Sequence, residues 1–321
     1  MHILHDNPEW LPPFAAALDR KGVPWTPWPL DGTGAGGSVD LDADPPAGIF
    51  WSRLSASAHT RDRAVAKEVA RSLARWLEAH GRRVVGGSRV IELEVSKIAQ
   101  HLALRSAGFH TPRTIAVFGP EELARRAREL PAPFIVKHNQ GGKGLGVRRF
   151  DSHEEFEARI AEGDLEEPVD GVTLLQEHVP ASQPFITRAE FVGGRFVYAV
   201  RVDTSAGSYE LCPADACELP APSSPGTAGP AVPEAGTQFR RREEVTAQDP
   251  FIARLGAFLR DRGVEIAGVE FIETADGRRV PYDVNTNTNY NPAVESDGGP
   301  SAADAVADFL AAELRAARAD G

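Results

Sequence analysis

The stretch PFIVKHNQGGKGLGVRRF, residues 133–150, sets four glycines and two lysines between two β-prone runs. A P-loop needs Gly-Lys followed by Ser or Thr and then a helix; here Gly144 follows Lys143. A dinucleotide fingerprint needs G-x-G-x-x-G opening a helix. Gly142, Gly144 and Gly146 instead space as G-x-G-x-G, and Val147 and Phe150 continue in strand style. The next helix starts only at Ser152, where Ser152 and Glu155 make a capping-box pattern ahead of Phe156 and Ile160. The glycines therefore belong to the tip of a β-hairpin. Such a tip offers backbone N–H groups that can fold down over phosphates; an ordinary flexible hairpin is the plain alternative.

Charge narrows the partners. The chain of 321 residues carries a net charge of −11, which argues against nucleic acid, since that partner calls for a basic face. The N-terminal MHILHDNPEW lacks a basic region followed by an apolar one, and no long apolar run occurs elsewhere. A cytoplasmic protein with no membrane partner is expected, with homo-oligomerisation left open. Cys212 and Cys217 are the only cysteines; a reduced pair or a local disulfide suits them, but two ligands fall short of a structural zinc site. Lysine is used at Lys21, Lys67, Lys97, Lys137 and Lys143 only, against a background of arginine. Two of these lie in or beside the glycine stretch, where a compact ammonium suits phosphate oxygens better than a planar guanidinium.

The first ninety residues read as a small α/β unit: MHILHD and AGIFWSR as strands, then Val65, Val69, Leu73, Trp76 and Leu77 at helical spacing up to Gly81, then RRVVGG as a short strand. Arg53 and Arg61 flank LSASAHT and are candidates to reach a substrate carboxylate. A helix from Val95 to Ala107 carries Lys97. GVTLLQEHVP is a strand, and ITRAEFVGGRFVYAVRVD a hairpin turning at Gly193-Gly194 with Arg188 and Arg201 near its ends. Residues 203–238, rich in Pro, Gly, Ser and Ala, are expected to be mostly loop. The tail from Ala302 is a closing helix.

The last hairpin, EIAGVEFIETADGRRVPYDVN, carries the second candidate site. With Asp276-Gly277 at the two central turn positions, Ala275 faces Arg278 and, counting outward, Glu270 faces Asp283. Asn285 follows on the same face, while Val269 and Phe271 share a core face with Val280, Tyr282 and Val284. Two carboxylates opposed across a sheet repel unless something sits between them. A hard divalent cation held by Glu270, Asp283 and Asn285 answers that, and Mg²⁺, which shares its shell with phosphates, suits this oxygen set. The alternative is that the acids splay into water or pair with arginines.

The ordered set of Lys97, PRT, Lys137 with QGGKGLGV, LLQEHV, Arg188, Arg201, GVEFIETADG and YDVN resembles the ATP-grasp ligases over roughly residues 88–295. The closest likeness is to the RimK-like carboxylate–amine ligases and, more loosely, to D-alanine–D-alanine ligases. The resemblance implies an α/β fold with α+β subdomains: a pre-ATP-grasp domain over residues 1–90, then an ATP-grasp domain over 91–321. The latter divides into a smaller lid subdomain (113–178) and a larger metal-binding one (179–321). It implies that Lys97 and Lys137 touch ATP phosphates, that Gly141, Gly142, Gly144 and Gly146 form the lid, and that Gln176, Glu177, His178 and Val179 meet adenine. It places Arg188 and Arg201 near the transferred phosphoryl group. Glu270, Asp283 and Asn285 become ligands of two Mg²⁺ ions, with Mn²⁺ an alternative.

Two positions depart from that pattern. The acidic residue that holds ribose in RimK-like ligases is Ile186 here, so either Glu177 takes that role or ribose is held differently. The family's short segment after Arg201 is replaced by TSAGSYELCPADACELP and a long loop, so the acceptor cannot be copied across. The activity implied is amide formation between a small-molecule or peptide carboxylate and an amine, through an acylphosphate, giving ADP and phosphate. A phosphotransferase on the same scaffold and a non-catalytic nucleotide-binding protein are the alternatives.

Overall fold

Three sheets follow one another along the chain in a computed structural model that describes residues 1–33, 37–142, 144, 146–205, 239–295 and 301–319. Lys143, Cys212, Cys217 and most of the 203–238 segment lie outside the described residues, and with them the expectations placed on the cysteines and that loop.

The first sheet is parallel, in the order β2-β1-β3-β4, from β1 (His2–His5), β2 (Thr26–Pro29), β3 (Phe50–Arg53) and β4 (Val84–Val85). The strand β2, sequence TPWP, was not among the expected elements; its two prolines are tolerated because it pairs on one side only, at the sheet edge. One face of this unit closes on its own residues, Leu4, Phe50 and Leu73 among them, and the other does not. Met1, Ile3, Phe14 and Trp51 pack with Val306, Leu310 and Leu314 of the C-terminal helix Ala302–Ala319 and with Val200 and Val202 from the third sheet. Ion pairs from Arg20 to Asp304 (2.7 Å) and from Lys21 to Asp308 (2.6 Å) edge that contact. Both are exposed and add little beside the apolar burial.

The second sheet is antiparallel, β5-β8-β6-β7, from β5 (Thr114–Phe118), β6 (Phe134–His138), β7 (Arg148–Phe150) and β8 (Val172–Glu177). The glycine stretch is the tip of the β6–β7 hairpin, with Phe134 facing Phe150 and Val136 facing Arg148. Ser152 caps the following helix, its Oγ accepting from Glu155 N at 3.1 Å; the return bond goes from Asp151 N to Glu155 Oε2 (3.2 Å). Phe134, Phe150 and Phe156 form the centre of a small core on one face of this sheet.

The third sheet is antiparallel, β11-β10-β9-β12-β13, from β9 (Phe185–Val192), β10 (Arg195–Asp203), β11 (Phe239–Arg241), β12 (Ile266–Glu273) and β13 (Arg279–Asn285). The β12–β13 turn differs from the two-residue reading. Thr274 and Arg278 close it (Thr274 N to Arg278 O, 2.9 Å), leaving a three-residue loop with Gly277 at φ 79°. Near the turn the register is therefore shifted by one, so that Glu273 faces Arg279 and Phe271 faces Pro281. A β-bulge at Tyr282 takes up the extra residue, and beyond it Glu270 faces Asp283 and Val269 faces Val284. The two offsets cancel at the acids. They do not cancel at Tyr282, which leaves the expected core face and enters the cavity wall.

A helix not among the expected elements, Ser88–Glu94, precedes the expected one, which runs Lys97–Ser106. Ser96 breaks the run by capping the second, its Oγ accepting from Ala99 N at 3.2 Å. Lys97 thereby becomes the first residue of a helix.

Candidate active site

A cavity of about 350 Å³ lies between the second and third sheets, with the loop after β3 as a further wall. Its walls include Lys97, Lys137, Gly141, Gly142, Gly144, Gln176, Glu177, His178, Val179, Arg188, Glu270, Asp283 and Asn285. Residues from six segments spread over nearly two hundred positions thus meet at one place.

The opposed acids are each held by a cation of the protein. Arg188, facing Glu270 on the adjacent strand, donates from Nη1 to Glu270 Oε1 (3.0 Å) and from Nε to Glu190 Oε1 (2.7 Å). Lys97 Nζ stands 2.7 Å from Asp283 Oδ1. The Tyr282 hydroxyl donates to Glu270 Oε2 at 2.9 Å, and Asn285 Nδ2 lies 3.4 Å from Glu270 Oε1. Burial raises the Glu270 carboxyl against the opposing pull of Arg188, and Asp283 raises it further. Burial would raise Asp283 as well, but Lys97 more than offsets it and holds that carboxyl below its ordinary range. Arginine pairing, weighed in the sequence as an alternative to a cation, is present alongside the opposed geometry. Gly268 makes room for this packing: a Cβ there would come within 2.7 Å of Arg188 and 2.8 Å of Glu190.

Lys137 differs from its neighbours. It is buried, and its Nζ donates to the neutral Gln176 Oε1 at 2.9 Å; among the described residues it makes no ion pair. Burial, with Lys97 nearby, lowers its pKa to about 7. An uncompensated buried ammonium is costly unless an anion joins it. Gln176 is thus occupied with Lys137 and, through Nε2, with Thr114 Oγ1 (2.8 Å), so its side chain orients the lysine.

The glycine hairpin is tied down at its base. Asn139 accepts from Lys97 N on its backbone oxygen (3.2 Å) and from Ile98 N on Oδ1 (2.9 Å), which fixes the helix carrying Lys97 to the strand carrying Lys137. Lys67 of the first unit, buried and with its pKa lowered to about 8 by burial, reaches Gln140 Oε1 at 2.6 Å. A Cβ on Gly142 would sit 3.3 Å from Ser57 Cβ, so the tip also rests on the loop after β3.

Two expected residues are not in the cavity wall. Arg201 stacks over Phe185 (4.5 Å) and pairs with Asp203 (3.2 Å). A β-bulge between Phe196 and Tyr198 shifts the hairpin register by one, so Arg188 faces Val200 and Arg201 faces Thr187, which puts the two arginines on opposite faces of the sheet. Gly146 sits below the tip at φ 71°, against the His138 ring. Ile186 does line the cavity, as does Glu177, whose Oε2 accepts from Arg113 N (3.0 Å).

Other wall residues were not singled out in the sequence. Glu94 is half-buried and joins two walls: Oε1 accepts from Ala56 N (3.1 Å), and Oε2 accepts from the Thr286 N and Oγ1 (2.8 Å each). Burial raises its carboxyl, with those bonds opposing. Behind the wall, the buried Thr288 donates to Glu190 Oε2 (2.9 Å) and accepts from Arg188 Nη2 (2.6 Å). Asn287, Thr288 and Asn289 lie in the polar run NTNTNYN, residues 285–291. Glu94 and Tyr282 left none, because a helical Glu and a strand Tyr are ordinary in their local patterns.

The donor set fits a hard cation. Asp283 Oδ2 and Asn285 Oδ1 carry no bond among the described residues, and the two acids with one amide present oxygen atoms only. Histidine and cysteine ligands, which would favour zinc, are absent from the set.

Comparison with solved structures places this architecture. The RimK-domain ATP-grasp protein from Sphaerobacter thermophilus superposes with a TM-score of 0.64 at 19% identity, covering 96% of this chain and 98% of that one. D-cycloserine synthetase DcsG gives 0.65 at 15%, covering 98% and 99%. The ATP-grasp ligase PsnB, solved with a minimal precursor, Mg and ADP, gives 0.62 at 15%, covering 98% and 96%. No protein-family model and no curated protein matches the chain. The fold is the ATP-grasp fold.

Proposed function

We propose that this chain, built on the ATP-grasp fold, is an ATP-dependent carboxylate–amine ligase. The observation that carries the reading is Lys137: a buried ammonium without an acidic partner, in the same cavity as a pair of opposed carboxylates. A polyphosphate satisfies the lysine, and a divalent cation bound to it satisfies the acids.

In this reading ATP lies between the second and third sheets, its phosphates against Lys137 and under the backbone of Gly141 and Gly142. Glu270, Asp283 and Asn285 would hold Mg²⁺, which would supply charge neutralisation on the transferring phosphoryl group. Lys97 and Arg188, paired to Asp283 and Glu270, stand beside the place where the phosphates would lie and would add their charge to it. A substrate carboxylate attacks the γ-phosphorus, and ADP leaves with the bonding pair. The amine then attacks the acyl carbon and expels phosphate. The contribution of the protein is positioning and electrostatic stabilisation, with no covalent intermediate on a side chain.

The structural neighbours support the class: one is named a D-cycloserine synthetase and others ATP-grasp ligases bound to precursor peptides. The test is ADP release with a panel of free amino acids and peptides, each with and without hydroxylamine. A ligase forms ADP only with a suitable carboxylate and yields a hydroxamate. Accumulation of a stable phosphorylated product without hydroxamate would instead make the protein a phosphotransferase, and ATP binding without turnover under any pairing would leave it a nucleotide-binding protein.

A further inference from the structure

Of the two arginines expected to reach a substrate carboxylate, Arg61 is neutralised and Arg53 is not. The Arg61 guanidinium holds Asp6 Oδ2 at 2.6 Å. Arg53 is buried and makes no ion pair among the described residues. Its guanidinium lies 4.3 Å from the Phe14 ring centroid and donates to two neutral oxygens, Thr288 O (3.0 Å) and Asn289 Oδ1 (2.6 Å). Burial lowers its pKa to about 10, so it stays charged at neutral pH. Like Lys137, it is a buried cation answered only by neutral groups.

The bond from Arg53 settles which way the Asn289 amide points. A guanidinium only donates, so Oδ1 must face it and Nδ2 must face away. Asn289 keeps only 7% of its surface exposed and lines the cavity. Its Nδ2 makes no hydrogen bond among the described residues and is open to solvent, whereas Oδ1 of Asn287 nearby is closed off. Arg53 also polarises the amide: a charged donor on Oδ1 draws electron density from the nitrogen and strengthens Nδ2 as a donor. The charge of a buried guanidinium thus reaches the cavity through one neutral side chain. The preceding residue, Thr288, accepts from Arg188 Nη2 at 2.6 Å, and Arg188 holds Glu270 at 3.0 Å. The open donor therefore stands close to the opposed acids.

We infer that Asn289 Nδ2 holds one oxygen of the substrate carboxylate, with Arg53 as the positioning residue that aims and polarises it. The inference rests on the carboxylate–amine reading above and gives the acid substrate an attachment point. A donor suits an anionic oxygen and not the amine, whose lone pair it would occupy. The phosphates, in that reading, are already served by Lys137 and the glycine tip. The second carboxylate oxygen forms a bond to the γ-phosphorus while the bond from that phosphorus to the ADP oxygen breaks, and ADP departs with the electron pair. The oxygen held by Nδ2 stays on carbon as the acyl carbonyl, and no proton moves in this step.

The test compares Asn289→Asp and Asn289→Ala with the wild type. It uses the amino acid or peptide of the panel that best supports ADP release, with hydroxylamine as nucleophile and saturating Mg²⁺. Asn289→Asp keeps an oxygen on Arg53 and exchanges only the outward donor for an oxygen that repels a carboxylate. Its melting temperature should not fall, since Arg53 gains a charged partner. The carboxylate KM should rise about ten- to a hundredfold, the loss of one charge-assisted hydrogen bond, while the Kd of a fluorescent ATP analogue stays within about threefold. Asn289→Ala, which adds no charge, should raise the same KM about tenfold or more, and so separates the lost donor from the added repulsion. An unchanged carboxylate KM in Asn289→Asp would overturn the assignment, because a merely structural role needs only the bond to Arg53. A nucleotide Kd that rises as far as the carboxylate KM would overturn it too, since the donor would then serve a phosphate. If no carboxylate promotes ADP release by the wild type, the ligase reading falls and this inference with it, an outcome seen before any variant is compared.

Discussion

Lys137 and Gln176 form a buried ammonium–amide contact of 2.9 Å across β6 and β8, in a cavity where both acids are already paired to other cations. A neutral amide cannot balance the charge of the lysine. This relationship, more than the glycine tip above it, marks the site as built for an anion.

Lys137→Met keeps much of the apolar stem and removes that charge. Nucleotide affinity should fall by roughly ten- to a hundredfold, equivalent to about 1.5–3 kcal/mol for a charge-assisted bond. The melting temperature of the ligand-free protein should hold or rise, since an uncompensated buried charge is gone. Titration with a fluorescent ATP analogue and a thermal melt check both; wild-type affinity in the variant would remove the phosphate assignment.

The same lysine predicts a proton linkage. Burial lowers its pKa to about 7 in the free protein, and bound phosphate favours the charged form. Nucleotide binding at a pH a unit above that value should therefore take up protons, and affinity should weaken as pH rises further. For folding the sign is opposite to that of a salt-bridged lysine. Between about 7 and the ordinary lysine value near 10.4 the unfolded chain binds more protons, so the contribution of Lys137 makes the free protein more stable as pH rises. Calorimetry of nucleotide binding in two buffers of different ionisation enthalpy measures the uptake; net proton release would contradict it.

Glu270→Gln and Asp283→Asn should each abolish Mg²⁺-dependent ADP formation. On like-charge repulsion alone the metal-free variants would be slightly stabilised, but Arg188 and Lys97 reverse that expectation. Losing a buried carboxylate strands its cation, at a cost approaching the order of 3–5 kcal/mol when the partner is removed outright. Both variants should melt lower than wild type without metal. Glu273 is an unsuitable control because it holds Arg242 and Arg279; the exposed Glu154 serves better, and Glu154→Gln should lie within about 0.5 kcal/mol of wild type. Turnover retained in both acid variants would dismiss the cation site.

Gly146→Ala tests the base of the glycine tip. At φ 71° a side chain is strained, and its Cβ would lie 2.9 Å from the His138 ring. The left-handed conformation alone costs about 1–2 kcal/mol. The tip should shift to relieve the contact, and nucleotide dissociation should quicken in stopped-flow displacement while the third sheet keeps its hydrogen-exchange protection. An unchanged dissociation rate would mean that the tip does not cover the nucleotide.

Most of the strands, the glycine hairpin and the facing pair Glu270 and Asp283 were legible in the sequence because they depend on local alternation and turn chemistry; the edge strands β2 and β11 were not. Even so, the acid pairing was reached through a turn one residue too short, and the bulge at Tyr282 compensated. A bulge leaves no mark on an alternating pattern, so the place of Tyr282 was decided by the fold. The same holds for Glu94, whose three donors come from residues 56 and 286, and for Lys67, which meets Gln140 across units.

What the sequence by itself determined is which residue types stand on which strand and helix, since periodicity is a property of the local chain. Which charge answers which was decided only in three dimensions. Arg201 and Arg188 look equivalent in sequence, yet Arg188 faces Glu270 and Arg201 lies against Phe185. Lys97 and Lys137 likewise look equivalent, yet Lys97 meets Asp283 and Lys137 meets a neutral amide. Ion pairing in a buried site depends on distances of a few ångströms between segments far apart in the chain, and no local pattern encodes those distances.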